Sequence, residues 1–127
     1  MLSDDQGIWI GTNAGGLAFR SHDGKWIIYN TQNSELLSND INTLIKDKRG
    51  GLWIGTHWGG LVYRNSNGQW KHKYKLPDSR VITLLTDSRE GLWIGTALLH
   101  KYKINDIIVA IIYQANDLVM SKKLERI

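Results

Sequence analysis

The sequence predicts an all-β fold made of repeated antiparallel units, and three observations support this prediction. A hexapeptide of the form Gly-(Ile/Leu)-Trp-Ile-Gly-Thr occurs three times, at residues 7–12, 51–56 and 91–96. Its tryptophans are 44 and 40 residues apart, within the period of about 40 to 50 residues that is typical of propeller blades. Short β-branched and aromatic runs alternate with Gly, Asn, Asp and Ser, as in hairpins. We therefore expect a partial β-propeller of about two to three four-stranded blades, followed by a divergent C-terminal tail.

The composition agrees with a folded domain. The chain has 127 residues, of which 42% are hydrophobic and 22% are charged. Its net charge of +4 is small and dispersed, so we expect no nucleic-acid partner. The chain has no cysteine, which excludes disulfides, thiolate zinc sites and cysteine nucleophiles. The longest apolar run, residues 107–113, is far shorter than the roughly 20 residues of a membrane-spanning helix. We therefore expect no membrane span.

The first unit, residues 3–30, shows the pattern of three strands, which we label b, c and d. The hexapeptide forms strand b, the Gly-Gly-Leu at 15–17 precedes strand c, and the Asp-Gly-Lys-Trp at 23–26 leads into strand d. The residues before Gly7 do not correspond to the first strand, a, of the later units. We therefore expect this blade to be partial.

The second unit, residues 41–74, carries the pattern of a full blade. The predicted strands a to d span 41–46, 52–56, 61–64 and 70–74. Gly, Asn and Asp in the intervening turns tolerate positive φ, which tight hairpins require. Alternation along strand b places Trp53 and Gly55 on one face of the sheet and Ile54 and Thr56 on the other. We expect the hexapeptide tryptophans to pack between blades.

The third unit repeats only in part. Residues 81–86 match strand a of the second unit at a spacing of 40 residues, and the hexapeptide follows at 91–96, but no Gly-Gly-Leu comes after it. We therefore expect a partial blade over 81–96 and a divergent tail over 97–127, with the propeller repeats confined to 1–96. In the tail, strand and helix both remain open. The uncharged, β-branched run at 107–113 predicts aggregation if it is exposed.

The repeated residues resemble the two-component regulator propeller repeat. The sequence from 41 to 61 follows that pattern almost throughout, with Leu-Trp-Ile-Gly-Thr followed by Gly-Gly-Leu. The aspartate that ends strand a stands at Asp47 and Asp87, whereas Ser3 takes the corresponding place in the first unit. The resemblance, over roughly residues 3–96, implies a ligand-sensing propeller of bacterial hybrid histidine kinases and a periplasmic location. The N-terminus lacks a signal-peptide pattern.

About two and a quarter blades cannot close a ring, since closed propellers usually have about four to eight. The chain is then a shortened remnant of a longer gene, a piece of a larger protein, or one of several copies that assemble. We favour the remnant, because assembly requires complementary ends and the two ends differ in the strands they carry.

The sequence does not predict catalytic residues, a cofactor or a metal site. No histidine pair has the spacing of a metal motif, and the four histidines are scattered, at His22, His57, His72 and His100. The glycine-rich segments 11–16 and 55–60 lie between two strands, whereas a phosphate-binding loop precedes a helix. Asp47 and Asp87 are expected to cap turns rather than to bind calcium.

A ligand face can be predicted from strand alternation. In an antiparallel a-b-c-d blade, the b–c loops and the d–a connections emerge at the same end. We expect contacts to a ligand from Asn13, His57, Trp58 and Arg80, with Trp58 stacking on it and the others forming hydrogen bonds. The alternative is that Trp58 packs on a neighbouring blade.

These patterns favour a fragment, or an assembling piece, of a sensor-type propeller that binds a ligand or a partner for two-component signal transduction. The ligand would be a small molecule or a glycan, reached through a longer parent protein. Self-assembly or a partner chain would complete the ring. Two alternatives remain: a lyase-like propeller enzyme, and an interaction module that uses its open β edges.

Overall fold

The structure is a computed structural model that describes the backbone of residues 1–74, 80–86, 91–96, 101–104, 109–114 and 117–123. Side chains are described for 1–71, 80–86 and 91–96, so Asp87, the side chains of His72 and His100, and those of the apolar run at 107–113 lie outside the described residues. The described residues form thirteen strands in three antiparallel sheets. They include no helix that could cross a membrane.

Blade 1 is a four-stranded sheet at the N-terminus. Its strands follow one another in the order β1 (Leu2–Asp4), β2 (Gly7–Gly11), β3 (Leu17–Ser21) and β4 (Trp26–Tyr29). The first strand is short and pairs antiparallel with the second, with Leu2 opposite Trp9. β1 thus takes the place of strand a, which the sequence repeat did not reveal.

Blade 2 has the strand limits predicted from the sequence. Its strands are β5 (Ile41–Lys46), β6 (Leu52–Thr56), β7 (Leu61–Arg64) and β8 (Trp70–Tyr74), again in chain order. The alternation predicted for strand b is confirmed, because Trp53 pairs with Ile45 and Tyr63, while Ile54 pairs with Leu44 and Val62. Both faces of this strand are largely buried, as expected for a blade with two neighbours.

The third sheet has five strands. They are β9 (Val81–Thr86), β10 (Leu92–Thr96), β11 (Lys101–Ile104), β12 (Val109–Gln114) and β13 (Asp117–Lys123), in chain order. The first two are strands a and b of the third repeat. The other three belong to the tail, and β12 lies within the stretch for which the sequence left strand and helix open. We call this sheet blade 3.

The turn between strands a and b explains why the sequence repeat does not reveal β1. Asp47 Oδ1 accepts hydrogen bonds from the backbone N–H groups of Arg49, at 3.0 Å, and Gly51, at 2.7 Å. Asp4 Oδ1 accepts the corresponding bonds from Gln6, at 2.8 Å, and Gly7, at 3.0 Å. The counterpart of Asp47 is therefore Asp4. The assignment of that role to Ser3 was wrong, because the first turn is one residue shorter.

Blades 1 and 2 pack through an apolar core that contains the first hexapeptide tryptophan. Trp9 is only 6% exposed, and its ring lies 4.5 Å from Phe19 and 6.0 Å from Tyr29 between ring centroids. The buried members of this cluster are Trp9, Leu17, Leu36, Ile41, Leu52, Ile54 and Val62. The prediction that Trp9 packs between blades is confirmed. Trp53 is half-buried and lies 4.6 Å from Tyr63.

The hexapeptide glycine lets the next blade approach closely. A Cβ atom on Gly11 would lie 2.7 Å from Cγ2 of Ile41, the first residue of strand a in blade 2. A Cβ atom on Gly55 would lie 2.5 Å from Cγ1 of Val81, which opens strand a of blade 3. The repeat therefore pairs a glycine in strand b with a β-branched residue at the start of the next strand a. This pairing brings the inner strands of neighbouring blades together.

Candidate functional site

The b–c loops and the d–a connections lie at the same end of the blades, as predicted, and we call this end the loop face. The backbone N–H of Gly16, in the b–c loop of blade 1, donates to the carbonyl of Asn39 at 2.7 Å. The N–H of His57, in the b–c loop of blade 2, donates to the carbonyl of Asp40 at 2.9 Å. The connection between blades 1 and 2 therefore joins both loops.

The two b–c loops share one geometry. In each loop the threonine that ends the hexapeptide donates its hydroxyl to a glycine carbonyl, from Thr12 to Gly16 at 2.6 Å and from Thr56 to Gly60 at 2.8 Å. A residue with positive φ follows two positions after each threonine: Ala14 with φ of 67° and Trp58 with φ of 73°. Since alanine adopts the same conformation, the left-handed backbone belongs to the loop and is no special property of the tryptophan.

Trp58 projects from its loop into solvent. Its exposed fraction is 66%, which is large for a tryptophan. The edge of His57 meets it at a centroid distance of 4.9 Å and an interplanar angle of 87°. The guanidinium carbon of Arg80, directly before β9, lies 5.0 Å from the Trp58 ring centroid, within cation–π range. With this exposure Trp58 is not part of the buried core between blades, although its ring contacts Arg80 at the start of the neighbouring blade.

The structure thus brings three of the four predicted ligand residues together. Asn13 lies on the same face and is exposed, but it belongs to the b–c loop of blade 1, at the position that His57 takes in blade 2. No hydrogen bond or ring contact links Asn13 to the other three within the described residues. The site is therefore centred on the junction of blades 2 and 3.

Asp40, which was not among the predicted site residues, holds the corresponding place at the junction of blades 1 and 2. Asp40 directly precedes β5, as Arg80 precedes β9, and the two residues are 40 positions apart. Asp40 Oδ1 accepts a hydrogen bond from the backbone N–H of Ala14 at 3.2 Å. Each residue thus meets the positive-φ residue of the preceding b–c loop. Comparison of the repeats would have found these positions, because Trp58 follows Ala14 by 44 residues and Arg80 follows Asp40 by 40 residues.

The chemistry of this group is that of recognition. Trp58 provides a broad apolar surface, Arg80 provides a permanent cation with several N–H donors, and His57 provides ring nitrogens. Among the side chains that the structure describes, no three His, Asp or Glu residues gather in a way that would hold a metal ion.

The opposite end of the blades, which carries the a–b and c–d turns, is joined by an ion pair between blades 1 and 2. Lys46 Nζ donates to Asp4 Oδ2 at 2.7 Å. Burial acts to raise the pKa of Asp4, but the hydrogen bonds from Lys46 and from the backbone of Gln6 and Gly7 outweigh it and lower the pKa below its ordinary value. A cleft of about 240 Å³ lies beside this pair.

Arg64 closes the same interface from the side of blade 2. Its guanidinium carbon lies 5.2 Å from the ring centroids of Trp9 and Tyr29 in blade 1, and 5.7 Å from that of Trp70 in its own blade. Its Nη2 donates to the Tyr29 hydroxyl at 3.3 Å. Arg64 is held among three aromatic rings and is therefore part of the packing between blades. The loop face remains the candidate site.

The repeats have known relatives. Residues 35–58 and 75–97 match the two component regulator propeller family. These two segments match the repeat of that family. The resemblance seen in the sequence is confirmed. The first matched repeat ends with His57 and Trp58, and the second includes Arg80, so the residues of the site come from two successive repeats.

The fold has a relative among solved structures. It is similar to the extracellular domain of the hybrid two component system BT3049 from B. thetaiotaomicron, with a TM-score of 0.67 and 25% sequence identity. The similarity covers 95% of this chain, and the chain spans 16% of the length of that structure. The comparison with curated proteins gives no match. The regulator propeller repeats therefore occur here in a fold that is similar to part of the extracellular domain of a hybrid two component system.

Proposed function

We propose that the chain is part of a ligand-sensing propeller for two-component signal transduction and binds its ligand on the loop face around Trp58. The observation that carries this proposal is the Arg80–Trp58 pair. At the junction of blades 1 and 2, the same two positions hold Asp40 and Ala14, which join the loops by a hydrogen bond. An exposed aromatic ring beside a cation is suited to a ligand.

The ligand class follows from the three side chains. A small molecule or glycan with a flat, partly apolar ring would stack on Trp58, and its polar groups would reach Arg80 and His57. Arg80 favours acceptor groups on the ligand, because a guanidinium only donates hydrogen bonds. Asn13, in the neighbouring loop, would contact a ligand long enough to extend toward blade 1.

The similarity to an extracellular domain supports a periplasmic location and a role in sensing. Because the chain spans 16% of the length of that structure, we propose that signalling involves further blades and a longer parent protein or a partner chain. We also propose that the chain binds without catalysing a reaction, because Trp58, His57 and Arg80 provide stacking and hydrogen bonding, and no metal-holding group occurs among the described side chains.

Ligand binding to the full chain tests this proposal. A panel of oligosaccharides and ring-containing small molecules would be screened by thermal shift, and hits measured by calorimetry. The decisive variant is Trp58→Ala with Arg80→Asp, which installs the two residues found at the junction of blades 1 and 2. We expect it to fold as the wild type does and to weaken binding by about tenfold or more, as loss of a central aromatic contact does.

A matched control is available on blade 1. Trp26 is 55% exposed, and the guanidinium carbon of Arg20 lies 5.9 Å from its ring centroid, so this pair has the same chemistry away from the loop face. Trp26→Ala should leave ligand affinity unchanged. A ligand that bound the wild type and the double variant equally well would place its site elsewhere.

A further inference from the structure

The cleft beside the Lys46–Asp4 pair lies between blades 1 and 2, at the end of the blades opposite the loop face. All the residues that line it belong to the strands of these two blades and to their a–b and c–d turns. Its volume is about 240 Å³, below the roughly 300–1,000 Å³ of pockets for drug-sized ligands. Two buried side chains, Trp9 and Leu52, give it apolar walls. Its size and lining fit a small, partly apolar ligand.

Four charged side chains line the cleft, and two of them pair with each other. These two are Asp4 and Lys46, joined at 2.7 Å. The other two are Asp5 and Arg64, and neither forms an ion pair with any charged side chain that the structure describes. The lining therefore has no net charge, but it offers a ligand one carboxylate and one guanidinium.

Arg64 has hydrogen-bond donors that the described residues leave without acceptors. A guanidinium has five N–H donors, and in the described part of the chain Arg64 uses one of its Nη2 hydrogens, toward the Tyr29 hydroxyl. Its Nε atom is buried and has no hydrogen-bond partner there. The rings of Trp9, Tyr29 and Trp70 attract the cation through their faces, but a carboxylate is a far better acceptor for its N–H groups. A carboxylate in the cleft would therefore stabilise Arg64.

The next junction along the chain lacks both cations. In blade 2, Arg64 and Lys46 both pair with Leu52. In blade 3, the residues that pair with the equivalent leucine, Leu92, are Ile104 and Thr86. The repeat does not require a cation at either position, so the charges at the junction of blades 1 and 2 are a property of this cleft.

We propose that this cleft binds a free α-amino acid with an apolar side chain. The carboxylate of the ligand would accept hydrogen bonds from Arg64, whose fork of N–H donors suits this group. The ammonium group would pair with Asp5, and the side chain would lie against Trp9 and Leu52. A simple anion would face the Asp5 carboxylate and a simple cation the Arg64 guanidinium, whereas a zwitterion matches both. This inference does not depend on the proposed site on the loop face.

Calorimetric titration of the full chain tests the proposal. The probes are L-leucine and L-valine, with N-acetyl-L-leucine, which lacks the ammonium group, and L-leucinamide, which lacks the carboxylate. We expect leucine and valine to bind and each derivative to bind about tenfold more weakly or less, because each leaves one charged side chain of the cleft without its partner. Failure of both amino acids to bind, or equal binding of leucine and either derivative, would overturn the proposal.

Two variants locate the binding site. Asp5→Asn changes an exposed side chain and should weaken leucine binding about two- to fivefold, as the loss of an exposed ion pair does. Arg64→Lys keeps the charge but loses the fork of donors, and should weaken binding about tenfold. Circular dichroism of both variants checks that they fold. Should Arg64→Lys not fold, the Asp5→Asn result alone decides.

Asp23→Asn is the matched control for Asp5→Asn, because Asp23 is an exposed carboxylate in the c–d turn of blade 1 and does not line the cleft. It should leave leucine affinity unchanged, as should the loop-face variant Trp58→Ala with Arg80→Asp. Unchanged affinity in Asp5→Asn, or an equal loss in Asp23→Asn, would overturn the proposal. Loss of leucine binding in the loop-face variant would place the amino acid on the loop face and overturn it as well.

Discussion

Arg80 lies with its guanidinium carbon 5.0 Å from the ring centroid of Trp58, at the two positions where the preceding junction pairs Asp40 with Ala14. The repeat therefore provides the same scaffold twice and fills it with different side chains. At one junction the pair ties a loop to the next blade by a hydrogen bond. At the other it displays an aromatic ring to solvent. The proposed binding site therefore differs from the other junction in two side chains, on the same loop backbone.

Trp58→Gly should stabilise the chain and abolish the proposed binding of a ligand to the loop face. A tryptophan at φ of 73° is strained, whereas glycine adopts this region freely. We expect the free energy of unfolding to rise by about 0.5–1 kcal/mol, since the relief of strain exceeds the entropy that glycine adds to the unfolded chain. Urea denaturation measures this change.

Ala14→Gly is the matched control for this effect, because Ala14 takes the same conformation in blade 1. It should stabilise to a similar extent and leave ligand affinity intact. If Trp58→Gly destabilised the chain while Ala14→Gly did not, the Trp58 ring would have a packing role that its exposure does not suggest.

The strand limits of blade 2 were predictable because turn residues bound each strand and because the same pattern recurs along the chain. β1 was not, because it has three residues and its turn is one residue shorter, which moved the capping aspartate from the expected Ser3 to Asp4. The position of Arg64 among Trp9, Tyr29 and Trp70 was not predictable either. It depends on how two blades meet, and strand alternation within one blade does not contain that information.

Gly11→Ala should destabilise the contact between blades 1 and 2. The new methyl group would lie 2.7 Å from Ile41 Cγ2 and 3.1 Å from Ile41 Cβ, so a rotation of the isoleucine side chain alone does not make room for it. Overpacking of this kind costs about 1–3 kcal/mol. Combining it with Ile41→Ala tests the cause, because the smaller side chain leaves room for the methyl group. The double variant should then lose less stability than the sum of the single changes, and strict additivity would contradict the steric explanation.

Stability should fall in acid partly through Asp4. Its pKa is lowered in the folded chain, so its contribution is fully present above the pKa of an unfolded aspartate, about 3.9, and is lost as the pH falls through the lower folded value. The melting temperature of Asp4→Asn should therefore fall less than that of the wild type between about pH 6 and pH 3. Its Oδ1 can still accept the two backbone hydrogen bonds of the turn.

Asp23→Asn is the comparison for Asp4, because Asp23 and Lys25 form a longer, well-exposed pair at 3.6 Å, with exposed side-chain fractions of 60% and 83%. The hydrogen bond from Ser21 also lowers the pKa of Asp23, but this carboxylate is well exposed and screened by solvent, so the variant should follow the wild-type acid profile more closely than Asp4→Asn does. An equal effect of both variants would show that general acid unfolding, and no specific pair between blades, governs the profile.

The Tyr63 hydroxyl should make the chain sensitive to alkali. It donates a hydrogen bond to Asp47 Oδ2 at 2.5 Å, and burial together with that carboxylate raises the pKa of Tyr63 well above its ordinary value. A raised pKa stabilises the fold below the pKa of an unfolded tyrosine, about 10, and this contribution declines as the pH rises beyond it. Tyr63→Phe should cost about 1–2 kcal/mol at neutral pH, because the Asp47 carboxylate loses a partly buried hydrogen-bond donor. It should also flatten the decline of stability between pH 9 and pH 11, about one unit on either side of that value. Urea denaturation at neutral pH measures the first effect, and the same measurement across the alkaline range measures the second. An unchanged alkaline decline in the variant would mean that another group controls it.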